Sequence, residues 1–228
     1  MIFFFQNITE LPPQSRIVFV VDASQSLTAN NLKEIKLYLQ EILPKYNSNS
    51  KLAVLATGND IVEVILSPQD QFKETDTIKQ LVADNLKLLQ GKQSINKALE
   101  YIQSNYINRY SSGNSSPVKI VVLTPGITDT TDMRNAMALL LSNNNNRNKP
   151  AALFTFVVFG DSYGTEKLVR PMLGTNDGGN NDSEDGAGDV IIEVPDSKLL
   201  PKYVDEIHGS IVNKIAGTFL CCSFLLLK

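Results

Sequence analysis

Apolar runs alternate along the chain with segments of helical periodicity. Near-continuous apolar runs, which are typical of strands buried on both faces of a parallel sheet, occupy Arg16 to Asp22, Val118 to Gly126 and Ala152 to Gly160. A shorter run from Val190 to Val194 predicts a last strand. Because helical patterns separate these runs, the sequence predicts a sheet with helices on both faces.

One segment departs from this alternation. Lys51 to Leu66 contains two strand patterns with a tight-turn signal at Gly58, Asn59 and Asp60 between them. Two strands joined by so short a turn must run antiparallel. We therefore expect an α/β fold with a doubly wound, mostly parallel six-stranded sheet and one antiparallel edge strand, a Rossmann-like architecture.

The helices are predicted from apolar spacing and from their end signals. The first runs from Asn31 to Leu43, with Asn30 as its N-cap and Pro44 as its stop. Ser197 is expected to cap the last helix, which continues to about residue 215. Four further helices are predicted between these two, at residues 76–89, 94–106, 131–141 and 166–172.

The chain divides into one domain and two short ends. We expect an N-terminal extension at residues 1–15, a single domain at 16–215 and an apolar C-terminal tail at 216–228. The apolar run from Ile215 to Leu227 is shorter than the roughly 20 residues of a spanning helix. Three interpretations stay open: a membrane-associated or lipidated tail that uses Cys221 and Cys222, the stub of a span in a longer chain, or a packed terminal segment. The sequence does not separate an extracellular or membrane-associated location from a cytoplasmic one.

Composition and charge exclude several classes of protein. The 21 Lys and Arg against 24 Asp and Glu leave no basic excess for a phosphate backbone, so nucleic acid is not an expected partner. The chain has one histidine, His208, and two cysteines, which are adjacent. This excludes Cys/His zinc sites and most enzymes that activate a nucleophile with an imidazole.

Candidate ligands for a cation follow the first predicted strand. In an open parallel sheet, ligands bind beyond the carboxyl ends of strands where the strand order reverses. Asp22, Ser24 and Ser26 lie there and offer one carboxylate and two hydroxyls. These are hard oxygen ligands of the kind that Mg²⁺ or Mn²⁺ accepts.

The order of these segments resembles a known family. VFVVDASQSLT, the hairpin, QGKQSINKALEYI and IVVLTPG together resemble a von Willebrand factor type A (VWA) domain. The resemblance implies a doubly wound fold with one antiparallel edge strand and a role in binding other proteins. The family's metal ion-dependent adhesion site begins with Asp-x-Ser-x-Ser, which Asp22, Ser24 and Ser26 match.

Two departures weaken the implied metal site. Gln93, followed by Ser94, stands near the place of the family's second-loop threonine, and Pro125 replaces the aspartate of Leu-Thr-Asp-Gly. Gln93, Ser94 and Asp129 are possible auxiliary oxygen donors. The missing carboxylate predicts weak or absent binding of Mg²⁺ or Mn²⁺. In the alternative interpretation, Asp22 and the serines bond loop amides without metal.

The expected function is a non-enzymatic protein–protein interaction module. The binding rim is predicted at the loops that carry Gln25, Gly91, Thr124 and Pro125. A protein ligand with an acidic residue would suit a residual cation. Two alternatives stay open: a phosphoryl-transfer enzyme with Asp22 as nucleophile, and a purely structural domain in a larger assembly.

Overall fold

The computed structural model describes seven stretches of the chain: residues 15–46, 50–68, 74–108, 117–128, 130–142, 152–160 and 190–212. The predicted helix at 166–172 and the apolar tail at 216–228 lie outside these residues, and so do Asp129, Cys221 and Cys222. The bounds of the domain therefore stay predictions.

A six-stranded sheet forms the centre of the fold. Its strands are β1 (Arg16–Asp22), β2 (Lys51–Gly58), β3 (Ile61–Leu66), β4 (Val118–Thr124), β5 (Ala152–Phe159) and β6 (Val190–Val194). They lie in the order β3-β2-β1-β4-β5-β6. Every neighbouring pair is parallel except β2 and β3, which are antiparallel. This confirms the predicted doubly wound sheet with one antiparallel edge strand.

Five helices cover the sheet in the described part of the chain. They are α1 (Ala29–Ile42), α2 (Thr75–Asn85), α3 (Ile95–Ile102), α4 (Thr130–Ser142) and α5 (204–212). A π-helical turn, Gln103–Ile107, continues α3, and a 3-10 helix, Ser197–Tyr203, leads into α5.

The two predicted N-caps were wrong. Thr28, rather than Asn30, caps α1, because its hydroxyl accepts a hydrogen bond from the Asn31 backbone N–H at 3.1 Å. Asp196, rather than Ser197, caps the last helical segment by accepting from the Lys198 N–H at 3.0 Å. In both places a second capping residue type lay within two positions, and the pattern alone did not separate them.

The predicted second helix also ends earlier than expected, at Asn85 rather than at Leu89. The Leu89 N–H donates to the Ala23 carbonyl at 2.7 Å, which pairs this segment with the chain just after β1. A tertiary hydrogen bond therefore replaces the last helical turn that the apolar spacing predicted.

The core consists of two apolar layers, one on each face of the sheet. In β1, Ile17, Phe19 and Val21 face one layer, while Val18 and Val20 face the other, as strand alternation requires. Helices α1, α2 and α5 cover the first layer, and α3 and α4 cover the second. The predicted burial of the central strands on both faces is confirmed, since every residue of β1, β4 and β5 is buried.

The predicted hairpin turn is present between β2 and β3. Asn59 and Asp60 have φ angles of 52° and 61°, which is the left-handed region that a type I′ turn requires. Asparagine and aspartate tolerate this region better than most residues, so the local sequence determines the turn.

Among the described residues, none of the helices has the length and apolar character needed to span a bilayer.

His208 lies at the opposite end of the sheet from the carboxyl edge, where α5 packs against the end of α1. Its ring contacts that of Tyr46 edge-on, with centroids 5.1 Å apart. Within the described residues, the buried His208 Nδ1 and the hydroxyls of Tyr38 and Tyr46 have no hydrogen-bond partner. Burial lowers the pKa of His208 below its usual 6.5, Lys45 lowers it further, and Asp205 opposes the shift.

This environment predicts a pH-dependent stability. Because the pKa of His208 is lower in the folded chain, the unfolded chain takes up the proton first as pH falls through 6.5. The free energy of unfolding, measured by urea titration at each pH, should therefore decrease as the pH is lowered from 7.5 to 5.5. His208→Gln cannot titrate and should show a flatter profile. Equal slopes for the two proteins would contradict the assignment, since the chain has no other histidine.

Candidate functional site

The strand order reverses between β1 and β4, which are the two central strands. Their parallel register pairs Val21 with Leu123, so Asp22 and Thr124 lie side by side at the carboxyl edge. The predicted rim includes the loops after both of these strands, which carry Gln25 and Pro125. The sheet order confirms that the strands are neighbours at the switch point.

The Asp22 carboxylate is the centre of a hydrogen-bond network at this edge. The side chain is completely buried. Its Oδ1 accepts from the Ser24 backbone N–H at 3.2 Å. Its Oδ2 accepts from Gln93 Nε2 at 2.6 Å and from Thr124 Oγ1 at 2.9 Å. Three donors from three segments therefore surround one carboxylate.

Gln93 connects Asp22 to the loop after β4. Besides its contact with Asp22, Nε2 donates to the Gly126 carbonyl at 2.7 Å. Its Oε1 accepts from the Thr128 backbone N–H at 2.9 Å. The partners on both sides determine the orientation of the amide, with nitrogen toward two acceptors and oxygen toward a donor. Gln93 thus presents a nitrogen, not an oxygen, to Asp22.

The remaining residues of the predicted metal site do not form one group: Ser24 and Ser26 bond each other, whereas Ser94 lies in a separate contact. Ser24 is buried and Ser26 is exposed, and their hydroxyl oxygens are 2.6 Å apart, within one hydrogen bond. Ser94 belongs to another contact, since its Oγ accepts from the Asp60 N–H at 2.7 Å beside the hairpin turn. Asp129 lies outside the described residues.

The predicted rim residues surround this network. Gln25 is exposed, Gly91 and Pro125 are partly exposed, and Thr124 is completely buried. The Gln25 N–H donates to the Gly91 carbonyl at 3.0 Å, which ties the loop after β1 to the segment before α3. Three of the four residues are thus accessible at this edge, while Thr124 contributes a hydrogen bond from below.

Three groups in this network were not identified from the sequence in the roles they have. Thr124 was assigned to the rim, although the parallel register of β1 and β4 places it beside Asp22 once the strands are known to be neighbours. The Gly126 carbonyl and Thr128 depend on the path of the loop after β4. That path carries no periodicity or motif from which these contacts follow.

A comparison with protein families decides what kind of domain this is. The sequence model for the von Willebrand factor type A domain matches residues 17–168, which is more than half of the chain. The chain belongs to the von Willebrand factor type A domain family. This match confirms the resemblance inferred from the sequence. VWA domains are in general protein-interaction modules without enzymatic activity. Among curated proteins, no sequence matches this VWA domain.

Solved structures share the fold of this VWA domain. Proximal thread matrix protein 1 from the mussel byssus matches with a TM-score of 0.63 and 12% identity, over 89% of this chain and 49% of that chain. A second structure of that protein, with a zinc-occupied MIDAS motif, has a TM-score of 0.61 and 13% identity with the same coverage. Manganese-loaded TRAP protein of Plasmodium vivax gives 0.63 and 12%, over 89% and 74%.

These identities show the fold alone. The chain spans about half the length of the mussel protein. The activity and partners of the whole mussel protein therefore do not transfer to this VWA domain.

The side chains at the carboxyl edge of this VWA domain do not fit a divalent cation. Among the described residues, Asp22 is the only carboxylate in the network, and two hydrogen-bond donors lie against its Oδ2. The N–H groups of Gln93 would point their positive ends at a cation bound to that oxygen. Among the described residues, no three His, Cys, Asp or Glu side chains lie together as ligands. Mg²⁺ in proteins is usually held by one or two carboxylates, with waters completing its octahedral shell. Here both oxygens of the Asp22 carboxylate already accept hydrogen bonds from protein groups.

Thr124 should stabilise the fold through its hydroxyl. Thr124→Val keeps the shape but removes one of the donors to the buried Asp22, so we expect the free energy of unfolding to fall by about 1–3 kcal/mol. Thr155→Val is the matched control on the neighbouring strand, because Thr155 is equally buried and its hydroxyl has no hydrogen-bond partner among the described residues. It should be neutral or stabilising. Equal losses in urea titrations of both variants would contradict the role of Thr124.

Gly91 should be required for the geometry of the rim. Its φ of 99° disfavours a side chain, and a Cβ there would come within 2.6 Å of Asn59 Oδ1 in the hairpin turn. Gly91→Ala should therefore destabilise the protein by about 1–3 kcal/mol. Gly160→Ala controls for strain alone, since its φ is 87° and no atom of the described residues lies within 4 Å of the added Cβ. If the two variants unfold at the same urea concentration, the close contact with Asn59 has no energetic weight.

Proposed function

We propose that this VWA domain binds a protein partner through the loops at the carboxyl edge of its sheet, without turnover and without a divalent cation. The rim consists of Gln25, Gly91 and Pro125, with the buried Asp22–Gln93–Thr124 network beneath it. The observation that carries the proposal is the set of hydrogen bonds that holds these loops together with protein groups alone.

Hydrogen bonds between the loops fix their positions, and this favours binding. Gln25 is joined to Gly91 through the backbone, and Gln93 joins Asp22 to the loop after Thr124. Loops that are fixed before binding lose less conformational entropy when a partner docks. A rim assembled from several loops on one rigid sheet is thus suited to specific recognition.

The donor set supports independence from metal. Zinc and manganese are present in solved relatives, in the mussel protein and in TRAP respectively. In this chain Pro125 has no oxygen on its side chain, and Gln93 directs N–H groups at the one carboxylate. Affinity for a partner should therefore survive removal of divalent cations.

The phosphoryl-transfer alternative is not favoured. An aspartyl nucleophile must reach a substrate, but the Asp22 side chain is completely buried and both of its oxygens accept hydrogen bonds. The purely structural alternative makes a different prediction from the proposal, because it expects no contact concentrated on the rim.

Site-specific photo-crosslinking tests the proposal. A photoreactive amino acid is placed at Gln25 on the rim, or at Glu41 as control, which is exposed near the end of α1 at the other end of the sheet. We expect one protein from the source cells to crosslink from position 25 and not from position 41. Similar products from both positions, or none from either, would support the structural alternative.

The affinity of the purified partner then tests the metal dependence. Pro125→Arg places a bulky charge on the rim and should weaken binding by about tenfold or more. Glu41→Arg should leave the Kd unchanged. Adding a chelator or millimolar Mg²⁺ should also leave it unchanged. Loss of binding in the chelator alone would contradict metal independence while leaving the rim assignment intact.

A further inference from the structure

We propose that the side-chain amide of Gln93 is a built-in substitute for the cation, bonding the carboxylate of Asp22 to the loop after β4 in place of a metal ion. The amide holds the carboxyl edge together whether or not that edge binds a protein partner.

The proton count supports the assignment. Gln93 Nε2 carries two protons, and two acceptors lie at short range: Asp22 Oδ2 at 2.6 Å and the Gly126 carbonyl at 2.7 Å. The single Thr124 hydroxyl proton has two acceptors within reach, the Gly126 carbonyl at 2.6 Å and Asp22 Oδ2 at 2.9 Å, and the Gly126 N–H donates to Thr124 Oγ1 at 3.2 Å. Whichever of the two the hydroxyl bonds, every donor proton has an acceptor, so the network closes without any added group.

The opposite amide orientation would leave the network unbalanced. Turning Gln93 over would place its oxygen against Asp22 Oδ2 and the Gly126 carbonyl, which are both acceptors. Its nitrogen would then face the Thr128 N–H, which is a donor. A positive ion between the three oxygens would relieve that arrangement. The observed orientation is therefore the cation-free solution to the same electrostatic problem.

The amide also performs the linking that a shared ion would provide. Asp22 is the last residue of β1, Gln93 precedes α3, and Gly126 and Thr128 lie in the loop after β4. A partly buried amide with protons on one side and a lone pair on the other reaches all three segments at once. Unlike an ion, it is covalently attached and does not dissociate.

The decisive variant is Gln93→Glu. It has the same shape but replaces the N–H groups with a second carboxylate oxygen beside Asp22, so repulsion between the two acids favours a cation between them. We expect it to bind Mn²⁺ saturably by calorimetry. Its Tm should rise by roughly 5–10 °C when Mn²⁺ is about one hundred times its Kd. The wild-type protein should show neither effect.

Gln25→Glu is the matched control. It adds the same charge to the same edge, but the side chain of Gln25 is exposed, and the Gln25 contact with Gly91 is made by its backbone N–H. It should gain no saturable Mn²⁺ binding. If it behaves like Gln93→Glu, the effect is one of general surface charge, and the proposal fails.

A measurement on the wild-type protein covers the case in which Gln93→Glu does not fold. In ¹H–¹⁵N spectra, the side-chain NH₂ protons of Gln93 should exchange with solvent at least about tenfold more slowly than those of exposed Gln25. Added Mg²⁺ or chelator should not change their positions. Rapid exchange of the Gln93 protons, or a shift that saturates with Mg²⁺, would overturn the proposal, because either result shows that the amide does not hold the cation position.

Discussion

The carboxylate of Asp22 lies at the end of the central strand with no exposure to solvent, and the arrangement of the carboxyl edge depends on stabilising it. A carboxylate removed from water is costly unless charge or hydrogen bonds replace its hydration. In this chain the replacement comes from a backbone N–H, a hydroxyl and a side-chain amide. These donors belong to separate segments, so satisfying one side chain also joins the loops that follow β1, precede α3 and follow β4.

The fold was predictable because it depends on patterns that each segment carries locally. The continuous apolar runs indicated strands buried on both faces, and Asn59 with Asp60 indicated the hairpin that produces the antiparallel edge strand. Helix ends were less predictable where tertiary contacts decided them. The chain between α2 and α3 leaves the helix because Leu89 pairs with Ala23, which is 66 positions away in sequence, and no local signal records such a partner.

The site was predictable only in part, for the same physical reason. Asp22, Ser24 and Ser26 follow one strand in one motif, and the location of that motif at the switch point follows from the strand order. The sequence identified Gln93 as a possible neutral oxygen donor. Which end of its amide faces Asp22 depends on Gly126 and Thr128, whose positions are set by a loop without periodicity. Whether Gln93 donates a hydrogen bond to Asp22 or presents an oxygen to it could therefore be determined only from the three-dimensional arrangement.

Holding the edge with a tethered amide has a consequence for recognition. A divalent ion with an open coordination position attracts an acidic residue of a partner and makes affinity depend on the free ion concentration. An amide whose protons and lone pair are all engaged offers no such position. Recognition by the proposed rim must then come from the exposed polar groups of the loops, such as Gln25 and Ser26, and from shape. Because these contacts are short-range, the affinity of such a surface is set by complementarity to one partner rather than by a shared acidic residue that many proteins carry.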